Sequence, residues 1–350
     1  MLTISKGDRV PLPKTYHDIN NICASIYDHL TEILSDSYYS SMSTTDIDFN
    51  GDEELKKRFQ SKPIAALEAA GCKEELEIVL TKHLVMSLIS DMGNFIYEAL
   101  SNARRGKMSV AFALLRKPFT DQLLILEQIL VDRKGFIESF YHNGNPIDYD
   151  PSAKSLKKDE IIKAAIEKLN TVKMFDGDLF YRMRYDKSLY SGINWISNHA
   201  LHIVTRDKQY ATSKQSFNFI FSGKNDVKKY WKHFYRVVPY LLIYTAAIID
   251  EIVFDFIEDP QNRKGVKSLK RLIAIDAVIN KKRENDSLSK ALADIFSTEC
   301  EHCKSKSAFI DADFNLYFYE DIFICSNCFN LLPINKDVFA LFGKNRNSNL

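Results

Sequence analysis

The stretch VKKYWKHFYRVVPYLLIYTAAIIDEIVFDF, Val227 to Phe256, decides the fold. Val227, Trp231, Phe234, Val238, Leu241, Thr245, Ile248, Ile252 and Phe256 recur at steps of three and four residues, the period of one helical face. Its centre, VVPYLLIYTAAII (Val237 to Ile249), runs 13 residues without a charge. A membrane-spanning helix needs about 20 apolar residues. The stretch therefore predicts a helix buried in a protein core, kinked at Pro239 and closed by Asp259-Pro260.

The same period appears on either side. Ile19, Ile22, Ile26 and Leu30 predict a helix over His17 to Leu34. Leu76, Leu80, Leu84, Leu88, Met92, Phe95 and Ala99 predict a long one from Glu74, stopped by the basic Arg105 and then Gly106. Met108 to Val131 is helical in pattern, with Pro118 either kinking it or opening a new helix. Shorter helices are expected over Lys158 to Leu169, Gly177 to Tyr185 and Leu288 to Ile295, and a basic one over Gly265 to Arg283. Ser35 to Glu54 and His142 to Ser155 read as loops. In SFNFIF (Ser216 to Phe221) the phenylalanines alternate as in an extended segment. The expected fold is mainly α: a helical bundle with a small C-terminal β-rich zinc ribbon. The expected divisions are 1–73 packing on the core, 74–260 as the bundle, 261–297 as basic helix and connector, and 298–350 as ribbon and tail.

With 350 residues, 45% of them hydrophobic and 27% charged, the chain can bury a substantial core. Its formal net charge is +1, so any nucleic-acid partner must be met by a local patch. The N-terminal residues contain no apolar run of the secretory type. No membrane association is expected.

Six cysteines are present, four of them in two C-x-x-C pairs. In a chain without a signal segment this pattern means metal binding in a reducing, cytoplasmic setting. CEHC supplies Cys300 and Cys303, and CSNC, after 21 intervening residues, supplies Cys325 and Cys328. Four thiolates with no open position suit structural zinc. The intervening AFIDADFNLYFYEDIFI is expected to form a hairpin that brings the pairs together. His302 is expected to face solvent, and Cys23 and Cys72 to be packed as small apolar residues. The tail resembles a zinc ribbon over Thr298 to Leu332.

Three clusters are candidates for function. Arg263, Lys264, Lys267, Lys270, Arg271, Lys281, Lys282 and Arg283, against Asp276 alone, form either a phosphate-binding face or a solvated helix face. No aromatic residue is interleaved among them to stack a base. Arg116, in ALLRKPFTD (Ala113 to Asp121), is expected to be buried and paired with Asp121 or Glu127. His199 and His202, three apart on an expected helix with Arg206 beyond, offer acid–base groups and a phosphate anchor.

SNARRGK (Ser101 to Lys107) followed by ALLRKPFTD is similar to a helix pair in bacterial helical proteins related to the HEPN superfamily. The resemblance spans Glu74 to Phe256. It implies a helical bundle and an RNA-associated defence or toxin-type protein, with metal-independent RNA cleavage. The family's arginine and histidine, four to six residues apart, have no counterpart here, since Arg133 and His142 are separated by eight. His199, His202 and Arg206 would have to replace them. The alternative is a non-catalytic scaffold or sensor whose ribbon docks a protein; a homodimer fits either reading.

Overall fold

The computed structural model describes residues 2–47, 52–169, 174–190, 192–279, 287–292, 295–296, 298–307, 309–332, 334 and 337–343. The fold is mainly α with a small C-terminal β part. Its principal helices are α1 (His17–Thr31), α2 (Lys73–Arg104), α3 (Met108–Arg116), α4 (Leu123–Val131), α5 (Lys158–Lys168), α6 (Gly177–Tyr185), α7 (Ile193–Leu201), α8 (Lys224–Val253), α9 (Arg263–Ile279), α10 (Asp311–Glu320) and α11 (Asp337–Gly343).

The apolar stretch centred on Val237–Ile249 lies in α8, the axis of the bundle. The helix continues through Pro239 without a break, and every residue from Leu241 to Val253 is buried. A helix apolar on all sides must be covered on all sides. Here α1, α4 and α9 pack against it, α2 packs on α1 and α3, and α3 packs on α7. No helix among the described residues is long and apolar enough to cross a membrane. α2 stops where Gly106 turns to φ +78°, a conformation glycine adopts without the penalty of a Cβ.

At Pro118 the Met108–Val131 rod neither kinks apart nor restarts. It widens into a π-helical turn over Lys117–Gln122. Proline has no N–H to give the preceding turn. The Phe119 carbonyl accepts from Arg184 Nε at 2.6 Å, and the Thr120 carbonyl from the Tyr185 hydroxyl at 2.5 Å. Arg184 is fully buried, and so is its partner Glu127: Nη1 meets Oε1 at 2.5 Å, and the same oxygen accepts from the Tyr244 hydroxyl at 2.6 Å. The buried arginine of this region is therefore Arg184. Arg116 is exposed, and Glu127 pairs across the bundle with α6.

In the tail, β1 (Thr298–Glu299) pairs antiparallel with β2 (Lys306–Ser307), and β3 (Phe323–Ile324) with β4 (Leu331–Leu332). Between them lies a helix, α10, in place of the expected hairpin. Asp311 and Asp313 favour a helical first turn, and Asp313 Oδ2 accepts from the Ile310 amide at 2.8 Å. Phe314, Tyr317 and Phe318 then fall on one buried face. Tyr317 stacks on Phe323 at 4.7 Å and Phe309 meets Phe323 at 4.5 Å. The tail thus has an aromatic core of its own, continuous with that of the bundle.

Breaking the Arg184–Glu127 pair leaves an uncompensated buried charge. Arg184→Ala is expected to cost about 3–5 kcal/mol, and Arg184→Met combined with Glu127→Leu less than either single change. Urea unfolding followed by circular dichroism measures both; an unchanged midpoint for Arg184→Ala would show that the pair does not hold the turn.

Candidate functional site

Each C-x-x-C pair sits at the tip of one short hairpin, where the chain folds back on itself. The Lys304 amide closes the first knuckle on the Cys300 carbonyl at 2.9 Å, and the Phe329 amide closes the second on the Cys325 carbonyl at 2.9 Å. The turns bring Cys300 Sγ to 3.6 Å from Cys328 Sγ and Cys303 Sγ to 3.7 Å from Cys325 Sγ. All four sulfurs lie within 4.8 Å of one another. Thiolates bound to zinc at about 2.3 Å in a tetrahedron stand about 3.8 Å apart, so the four fit a metal ion of that size. Ser305 Oγ lies 3.0 Å from Cys303 Sγ and 3.4 Å from Cys325 Sγ. Hydrogen bonding from Ser305 brings the Cys303 thiol down to about 7 and, with the knuckle amides, the Cys325 thiol down to about 5. His302 is exposed beside the cluster, Cys23 is buried and Cys72 is half-buried.

The basic helix takes a different place from the one expected. Lys267, Lys270 and Arg271 are buried. Arg271 pairs with Asp250 of α8, Lys267 lies 3.7 Å from Asp250 and 3.6 Å from Glu32, and Lys270 reaches Asp321 at 2.7 Å. Arg263 meets Asp36 at 2.9 Å with its guanidinium over the Tyr38 ring, and Lys264 meets Glu251 at 3.0 Å. Lys267, Lys270 and Arg271 are thus internal partners of carboxylates, and the half-buried Arg263 and Lys264 are paired as well, so these five are not free charges on a solvated face. Lys281, Lys282 and Arg283 lie outside the described residues.

The histidine pair is not brought together either. α7 ends at Leu201, and His202 follows in extended backbone at φ −118°, ψ 126°, so helical spacing no longer puts the two on one side. His199 is buried: its ring stacks on Trp195 at 3.9 Å, and Nδ1 donates to the Trp195 carbonyl at 2.9 Å. Burial lowers its pKa, which favours the neutral ring with Nε2 as acceptor. His202 and Arg206 are exposed and do not line the cleft that His199 lines.

That cleft, about 370 Å³, lies between α7, the 202–223 loop and the first turns of α8. The loop is tied by its own polar groups. Thr212 donates its amide to the Thr205 carbonyl at 2.9 Å, and the Asn218 side chain donates to the His202 carbonyl at 2.7 Å. Phe219, at φ +61°, turns inward and stacks on Tyr230 at 4.6 Å. Phe217 and Phe221 turn outward, stacked at 5.9 Å and exposed by 46% and 68%. The alternation expected of SFNFIF is thus kept in a turn instead of a strand. Tyr190, 61% exposed, completes the aromatic rim beside Trp195 at 4.4 Å.

Lysines and arginines crowd the same segment. Residues 187–236 contain nine of them and two acidic residues, in a chain whose formal net charge is +1. All nine are exposed. Lys224, Lys228, Lys232 and Arg236 step by four along α8, a row with about 6 Å of rise per step. None of the four has a carboxylate within ion-pair distance among the described residues. Sequence reading passed over this segment because Lys228 and Lys232 sit on a helix judged by its apolar stripe; the signal available was the density of cations in the segment that holds the alternating phenylalanines.

Purified chain is expected to carry one metal ion per molecule, and Cys325→Ser to lose it and loosen α9 through the Lys270–Asp321 contact. Elemental analysis with hydrogen exchange of α9 checks both; full metal content in Cys325→Ser would remove Cys325 from the ligand set. No protein-family model, curated protein or solved structure matches the chain, so the HEPN-like resemblance gains no support.

Proposed function

We propose that the chain binds single-stranded nucleic acid, with RNA the first candidate, across the face made by α7, the 202–223 loop and the start of α8. The observation that carries this reading is the rim of exposed rings, Tyr190, Phe217 and Phe221, around a cleft in a segment, 187–236, whose nine lysines and arginines are all exposed. Bases stack on exposed aromatic rings without regard to sequence, while a basic track follows the backbone. Recognition of RNA commonly uses such splayed, stacked bases. The four thiolates are assigned to structural zinc, which holds the two knuckles and, through them, the outer end of α9. Strand cleavage in a defence or toxin setting would need a second acid–base group beside His199. The exposed Phe329 (78%) and Leu331 (66%) of the second knuckle favour a second reading, docking of a protein on the tail.

Fluorescence anisotropy with a labelled single strand tests the first reading. Phe217→Ala and Phe221→Ala, both at exposed positions, are expected to cost about 1–3 kcal/mol of binding each. Each of Lys214→Gln and Lys229→Gln is expected to reduce the slope of log K against log salt by about 0.7. Unchanged affinity and salt slope in all four variants would remove this face from consideration.

A further inference from the structure

A second cavity, about 530 Å³, lies on the other side of α7. Trp195 and His199 line the aromatic cleft, whereas Asn194 and Asn198 line this cavity. Its volume falls within the range of small-molecule sites, roughly 300–1,000 Å³. Thr120 and Asp121 of the π-helical turn Lys117–Gln122 line it, and such turns are frequent at functional sites. The turn is held from beneath by Arg184, Glu127 and the Tyr185 hydroxyl, so the groups it carries are fixed before any ligand arrives.

Four cations line the cavity: Arg116, Lys154, Lys158 and Lys187. Two carboxylates, Asp121 and Asp159, also line it, leaving an excess of positive charge. Arg116 makes one side-chain hydrogen bond among the described residues, a long one of 3.4 Å to the neutral Asn198 amide. Lys158 is half-buried, donates to the Pro151 carbonyl at 2.7 Å and lies over the Tyr185 ring at 5.1 Å. Lys187 reaches Asp207 at 3.4 Å, a contact at half-exposed side chains worth little. A guanidinium and ammonium groups around one polar space are the donors that a phosphate dianion takes.

We propose that this cavity takes a phosphomonoester, either the 5′-phosphate of a nucleic-acid strand or that of a free nucleotide. The choice of a nucleotide rests on the preceding reading of the aromatic cleft, from which α7 alone separates it. Tyr210 borders both: it lines the cavity, and its ring lies 6.0 Å from that of His199.

The test compares a short single strand bearing a 5′-phosphate with its 5′-hydroxyl twin, and titrates adenosine 5′-monophosphate against adenosine by calorimetry. The proteins are the full chain, Arg116→Gln, Lys158→Gln and the double variant, with circular dichroism as the folding check and Lys158→Arg as the conservative control. The phosphate is expected to tighten binding roughly tenfold. The double variant should erase that gain and keep the affinity for the hydroxyl strand, while Lys158→Arg retains most of it. Binding of the mononucleotide, lost in the double variant, would assign the site to free nucleotide; a gain with the phosphorylated strand alone would assign it to strand ends. Equal binding of both strands, with no mononucleotide bound, overturns the proposal and leaves strand binding standing. Mononucleotide binding that needs Arg116, with neither strand bound, supports the cavity and overturns the aromatic-face reading.

Discussion

Asp250 lies near the end of α8 with its carboxylate buried, and a buried charge is tolerated only when paired. Arg271 and Lys267 supply the pairing from α9. That requirement draws a helix rich in lysine and arginine into the interior, where composition alone would have left it outside. Once α9 is seated, Lys270 faces Asp321 at the end of α10, and Arg263 and Lys264 reach Asp36 and Glu251. One buried carboxylate thereby connects the central helix, the N-terminal region and the tail. The half-buried His29 lies beside the same cations, and its pKa is lowered by desolvation and by Lys270, Lys267 and Arg271.

A second buried pair, Arg184 with Glu127, joins α6 to α4 beside the central helix. It satisfies carbonyls around the π turn and so fixes where Arg116 and Asp121 stand. Both pairs cost desolvation that hydrophobic replacements would avoid. Their effect is geometric: each holds a segment whose backbone or side chains face a cavity or a neighbouring module.

The charge of the chain is correspondingly divided. The cations Arg263 to Arg271 on α9 are paired with carboxylates, while those between residues 187 and 236 are exposed to solvent in the segment that carries the exposed rings. Formal charge counts cannot distinguish the two cases, because pairing depends on which carboxylates arrive from distant parts of the chain. The near-zero net charge conceals a locally basic surface for the same reason.

The sequence by itself determined the helical class, the buried axis at Val237–Ile249 and the four-cysteine cluster, because each rests on local periodicity or on ligand spacing. It misjudged the segment between the cysteine pairs, where aromatic residues suited a strand but Asp311 and Asp313 began a helix whose aromatic face had a core to meet. It also grouped His199 with His202, since one extended residue past Leu201 is enough to break helical facing. Only the tertiary structure decided that Arg184, not Arg116, is the buried arginine, that the cations Arg263 to Arg271 of α9 are paired with carboxylates from distant segments, and that Tyr190, Phe217 and Phe221 line one cleft. Those outcomes depend on contacts between residues far apart in the chain, which no local pattern records.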